Sequence, residues 1–145
     1  MIEKDTIRLL RECDAGLKMG VQSIDDVVNR VKSHKLRGAL LCCKDEHNRM
    51  KREINRLLDR YHDNGKNPGM LVKNMSKMKT TMRLAMNDSD STVASLMTDG
   101  CNMGIKSLSR YLNEFKAAEE QAKDITKKLI ATEEQLAKDM RGFLC

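Results

Sequence analysis

Between Leu36 and Tyr61 the chain places Leu36, Leu40, Cys43, His47, Met50, Ile54, Leu57 and Tyr61 at alternating steps of three and four residues. That spacing draws one stripe along an α-helix, whereas the faces of a strand repeat every two residues. A helix with a single apolar stripe must bury it against other elements, and three more segments carry the same pattern. Leu10, Cys13, Leu17, Gly20, Ile24, Val27 and Val31 mark a first helix, expected to start near Asp5 as a capping residue and to run to about Val31. Ser33 is expected to cap the second helix, which runs to about His62. Val93, Met97, Cys101, Gly104, Leu108, Tyr111 and Phe115 face inward from a third long helix. A break near residues 117–120 leads to a last one, striped by Ala122, Ile125, Leu129, Thr132, Leu136 and Met140.

Composition excludes the main alternatives. Aromatic residues are 3% of the 145, with one proline, which is too little for a strand-rich domain. No apolar run approaches the ~20 residues of a membrane span. The N-terminus MIEKDTIRLL lacks the apolar core of a signal peptide, so a cytoplasmic protein is expected. The five cysteines form an odd set without a Cys-x-x-Cys pair, and Cys13, Cys43 and Cys101 sit on apolar faces as small hydrophobes. They do not read as a zinc or redox motif. The 27 basic and 21 acidic residues leave a net charge of +6, mostly interleaved by sign as on solvated helix faces.

The first two helices are joined so closely that they must be antiparallel neighbours. The turn residues DNGKNPG end the second, and Gly69 to Met86 reads as a short separate helix stopped by NDSDS. The plan is a single domain over residues 1–145, made of two helical hairpins, about 5–63 and 90–143, joined by a crossover over 64–89. That crossover is long enough to run the length of the bundle and start the second hairpin from the other end. The halves are also alike. GLKMGVQSIDDVVNRV (Gly16 to Val31) set over GCNMGIKSLSRYLNEF (Gly100 to Phe115) matches Gly, Met, Gly, Ser and Asn at a constant offset of 84. An offset of 86 aligns Cys43 with Leu129, Met50 with Leu136 and Ile54 with Met140, and it sets His47 on Glu133.

A repeated helical hairpin with a long crossover resembles the ferritin-like superfamily. Within it the chain is most similar to a bacterial four-helix-bundle family of unknown function. The resemblance covers nearly all of the chain, and its most telling segment is LMTDGCNMGIKSLSRYL, Leu96 to Leu112. It implies an all-α ferritin-like four-helix bundle, with hairpins related by a pseudo-twofold axis and a short extra helix in the crossover. It implies little about activity.

Bundles of that kind hold paired metal ions with about six inward ligands, a carboxylate from each of two helices and Glu-x-x-His from each of the others. Two divalent cations in a dry core need several anionic oxygens, and a histidine three residues on shares the glutamate's side of the helix. This chain lacks that set. His34, His47 and His62 all belong to the second helix region, and Lys44 stands three residues before His47. Asp59-x-x-His62 has the spacing, but it lies at the helix end, where a cation suits the C-terminus. The inward faces of the first and third helices offer Leu17, Gly20, Cys101 and Gly104, with no acid among them. Glu46, His47, Asp14, Asp99 and Glu133 flank the middle and are the residues from which an atypical site would be built. Otherwise His47 is a core histidine needing hydrogen-bond partners, with Glu133 the first candidate and Thr132 the second. The expectation is no metal, no cofactor and no catalytic residues.

Gly16-Leu-Lys-Met-Gly20 and Gly100-Cys-Asn-Met-Gly104 each set two glycines one turn apart. Mid-helix glycine costs roughly 0.5–1 kcal/mol relative to alanine. The expectation is that the first and third helices touch there, filling the space that two ions would take, the alternative being relics of a family that bound something. In the crossover, Leu71, Met75, Met78, Met82 and Met86 lie at helical spacing, with Lys73, Lys77, Lys79 and Arg83 elsewhere on the same segment. This reads first as a lid helix. It also reads as a docking surface for a protein partner or a second copy, a membrane-surface helix or a thioether copper(I) site. Specific nucleic-acid binding is not expected, since no reading motif accompanies the basic charge; weak association with phosphates stays open. No phosphate loop or nucleophile elbow supports an enzyme. The leading expectation is a structural or interaction protein acting through its surface, with a metal-binding or redox protein near His47 as the alternative.

Overall fold

The computed structural model describes residues 2–69, 80, 84 and 87–145. Among them every regular element is helical. They comprise α1 (Ile2–Val27) with a 3-10 turn at Val28–Arg30, α2 (His34–Asp59), α3 (Asp90–Glu114), and α4 (Glu120–Met140) with a 3-10 turn at Arg141–Phe143. No helix among them is long and apolar enough to cross a membrane. The methionine-bearing stretch of the crossover lies outside the described residues apart from Thr80 and Leu84, both helical, with Leu84 buried.

Ser33 caps α2 by accepting from Leu36 N at 3.2 Å, and Ser89 caps α3 by accepting from Thr92 N at 3.2 Å. Asp5 does not cap α1, which begins three residues earlier, at Ile2. Its carboxylate instead accepts from Ala117 N at 3.1 Å, and Thr6 Oγ1 accepts from Glu119 N at 2.8 Å. Those bonds set the start of α1 against the α3–α4 turn. At the other end, Asp90 accepts from Lys32 N and Ser33 N, so the α1–α2 corner meets the start of α3. Hence α3 runs opposite to α1 and α4 runs along it, an up–down–down–up order. The chain leaves α2 beside the first half of α1 and re-enters α3 at the far end, so the two ends of the connection lie at opposite ends of the bundle.

The exit from α2 is clamped to α1. The Arg11 guanidinium donates to both Asp63 oxygens, and Asp14 Oδ2 accepts from Lys66 N at 3.0 Å while pairing with Lys18 Nζ at 2.8 Å. His62 and Gly65 turn the chain with φ of 55° and 84°. Gly65 is required twice over, because its left-handed backbone favours glycine and a Cβ there would collide with Asp14 Oδ2.

The stripes read from the sequence are the buried faces, and in α2 every stripe residue from Leu36 to Leu57 is buried. One position in α4 differs: Thr132 is half-buried and donates to Lys128 O, while Thr126, off the expected stripe, is fully buried. The core falls into two clusters. Leu9, Leu10, Leu17, Ile54, Phe115 and Ile125 belong to one, and Ile24, Val27, Leu36, Leu40, Val93 and Met140 to the other. His47 and Glu133 belong to neither.

Candidate functional site

His47 reaches the bundle interior because it occupies a stripe position of α2, and its side chain is 1% exposed. Its Nδ1 lies 2.9 Å from Cys43 O, one turn back. A carbonyl only accepts, so Nδ1 carries the proton and donates. Nε2 lies 2.7 Å from Glu133 Oε1 on α4, whose side chain is 13% exposed. With both nitrogens directed at acceptors, the ring is an imidazolium paired to a carboxylate. Burial, the largest single influence, pulls the His47 pKa down. The hydrogen bonds to Cys43 and Glu133 and the Glu133 charge outweigh it and push the value up to about 10. Glu133 is the partner that the offset of 86 indicates, and Thr132 is not a partner.

Cys101 on α3 also contacts Glu133. Burial first, then the charge and hydrogen bond of Glu133, push its pKa upward. Cys13, bonded to Thr126 Oγ1 at 3.1 Å, is pushed up by burial to about 12. Both stay neutral thiols near pH 7, unsuited to thiolate chemistry.

The other flanking residues turn elsewhere. Glu46 pairs with Arg49 on the surface side of α2, and Asp99, His34 and His62 are exposed. Asp14 is fully buried, contrary to the expectation of an acid-free inner face; its Oδ2 holds the Lys66 and Lys18 clamp, and its Oδ1 has no hydrogen-bond partner among the described residues. These groups do not fit a di-metal centre. Both His47 nitrogens are engaged, Glu133 is its single carboxylate partner, and among the described residues no three His, Cys, Asp or Glu are grouped to hold an ion.

The glycines do not close the middle of the bundle. A Cβ built on Gly16 or Gly100 would meet nothing within 4 Å. Instead a cavity of about 380 Å³ opens there, lined chiefly by α1 and α3. The expected contact of the two helix backbones is therefore not made at Gly16 and Gly100, which are exposed. Gly16, Met19, Gly20 and Ser23 line it from α1, and Gly100, Met103, Gly104 and Ser107 line it from α3. These are one pattern, Gly-x-x-Met-Gly-x-x-Ser, met twice at the offset of 84. Its steps of three, four and seven put all four residues on one helix face. Cys43 and His47 of α2 and Leu129 and Glu133 of α4 also line it, as do Cys101, Leu108 and Tyr111 of α3 and Lys66, Pro68 and Gly69 from the clamped loop. Met103 is 65% exposed, so the cavity reaches the surface.

Gly20 has a second task. A Cβ there would lie 2.7 Å from His47 Nε2, so glycine is what lets the imidazolium reach Glu133. The sequence signal for the cavity was the repeated Gly-x-x-Met-Gly-x-x-Ser; no comparable signal marks Thr126 or the burial of Asp14. Comparison with known proteins finds no family model, no curated protein and no solved structure that matches this chain.

Proposed function

We propose that this chain is a binding protein that holds a small apolar molecule in the cavity between its two halves, with no di-metal chemistry. The observation that carries this reading is the lining itself. In one repeated pattern, each half sets two helix-weakening glycines along the cavity, Gly16 and Gly100 at its exposed rim and the half-buried Gly20 and Gly104 beside His47 and Glu133. A cavity of about 380 Å³ lies within the size range of ligand pockets, mostly apolar with a few convergent polar groups. His47 and Glu133 are such groups here. Among the described residues, the exposed large apolar side chains Ile2, Leu41, Met103 and Leu144 are single and far apart in the sequence, and the methionine-bearing crossover lies outside those residues.

The framework belongs to the same proposal. We read it as ferritin-like, supported by the up–down–down–up order, the lengthwise connection and the matching halves. Cytoplasmic residence is also part of it, supported by five free cysteines, three of them buried.

Titration with prodan, a neutral solvatochromic dye without a hydrogen-bond donor, tests the reading. Saturable one-to-one binding with a blue-shifted emission is expected, lost in Gly104→Leu, whose side chain enters the cavity. Circular dichroism checks that the variant stays folded. Absent saturation, or binding unchanged in the folded variant, would overturn the proposal.

A further inference from the structure

The chemistry of the cavity wall narrows what it takes, on the premise that the cavity is a binding site. A cavity of about 150 Å³ holds one benzene ring. A space of about 380 Å³ therefore has room for a skeleton of two or three fused rings, or an apolar chain of similar bulk.

Charge on the wall is balanced. His47 and Glu133 neutralise each other on α2 and α4, and Lys66 pairs with Glu12 where the loop and α1 meet the same space. The buried Cys101 thiol, its pKa pushed up by burial and by Glu133, adds no charge. A cationic ligand would face the imidazolium and an anionic one would face Glu133, so neither gains a free counter-charge.

Hydrogen-bonding capacity is not balanced. Every N–H of the His47 ring is already donated, to Cys43 O and to Glu133 Oε1. The ring therefore has no N–H left for a ligand, and the hydroxyl donors of the lining, Ser23, Ser107 and Tyr111, stand on α1 and α3. Glu133, by contrast, offers about four acceptor positions. His47 and the Cys101 thiol take two of them. Its second oxygen, Oε2, lies 3.7 Å from where a Gly104 Cβ would stand, over the glycine face that lines the cavity. The missing side chain at Gly104 is what leaves that oxygen accessible from the cavity.

We propose that the cavity selects a neutral, apolar molecule of two- to three-ring size that carries one O–H or N–H donor, and that this donor is received by Glu133 Oε2. The carboxylate gives the ligand its orientation and the Gly-Met-Gly-Ser faces hold its apolar body. A hydrogen bond to a buried charged acceptor is stronger than one between neutral groups, so the donor should decide affinity among ligands of equal shape.

Displacement of prodan by β-naphthol, its methyl ether and β-naphthoate tests this. The naphthol has the donor, the ether has the same ring without it, and the naphthoate presents an anion. The expected result is that β-naphthol competes about tenfold more tightly than the ether, a difference of about 1.4 kcal/mol, and that the naphthoate does no better than the ether. In the double variant His47→Leu with Glu133→Leu, naphthol and ether should bind alike. Equal affinities in the natural chain, a preference that survives in the double variant, or a tighter naphthoate would each overturn the ligand class while leaving the cavity reading intact. Absence of prodan binding to the natural chain would instead remove the cavity reading, and this proposal with it.

Discussion

Gly20 and Gly104 stand at equivalent places in the two halves, yet a methyl group added to each would meet opposite surroundings. At Gly20 it would press on His47 Nε2 at 2.7 Å, and that ring is held by hydrogen bonds at both nitrogens. At Gly104 the nearest atom is Glu133 Oε2 at 3.7 Å, an ordinary contact. The faces of α1 and α3 are thus nearly symmetric, while what faces them from α2 and α4 is not. One half contributes a base and the other an acid, at positions matched by the offset of 86, and the two satisfy each other between α2 and α4. A repeated backbone can keep its spacing and break its symmetry with a single complementary pair. The side with the larger ring then needs its glycine for clearance, and the other side is left with spare room.

Removing one member of the pair is the most severe way to break this comparison. His47→Ala leaves the Glu133 carboxylate in a poorly hydrated position without its cation, which should cost about 3 kcal/mol of unfolding free energy. Chemical denaturation measures it. The double variant His47→Leu with Glu133→Leu makes the two positions alike and should recover most of the loss, since an apolar pair of similar volume replaces a buried ion pair at little cost. A double variant as unstable as His47→Ala would mean that the ion pair is not the source.

Alkaline pH produces a partial version of the same loss. Folding raises the His47 pKa from 6.5 to about 10, so the folded state binds this proton more tightly than the unfolded one. The pair's contribution is then complete below about pH 6.5 and fades as pH rises toward about 10. The melting temperature of the natural chain should fall over that interval more steeply than that of the double variant. Parallel profiles would contradict the pairing.

The glycines give the smallest effects, and opposite signs. Gly20→Ala should destabilise by about 1–2 kcal/mol, because the ring must give up a hydrogen bond to make room. Gly104→Ala should stabilise by about 0.5–1 kcal/mol, the helix propensity gained without a clash. Equal signs in parallel melts would erase the distinction between the halves.

Much of this fold is written into local pattern. The stripe from Leu36 to Leu57 is the buried face of α2, Ser33 is its cap, and the halves match at an offset that sets His47 opposite its partner. Each of these follows from helix period or from a residue's own hydrogen-bonding habit. The candidate site was legible only in part. The glycine pairs were visible, but paired glycines serve either close contact or open space, and the sequence does not distinguish them. Asp14 gave less warning. It sits beside the α1 stripe, and it is buried because the distant Lys66 backbone is brought to its carboxylate.

The spacing of apolar residues by itself determined four long helices and the face that each buries, because a helix repeats every 3.6 residues whatever surrounds it. Tertiary structure alone decided that the middle stays open. The distance between two helices depends on the side chains at their contact. Bulky clusters hold the bundle at both ends, Leu9, Leu10 and Phe115 in one and Ile24, Val27 and Met97 in the other. Packed through those residues, α1 and α3 leave Gly16 and Gly100 exposed, and a cavity runs beside the same glycines that would permit contact.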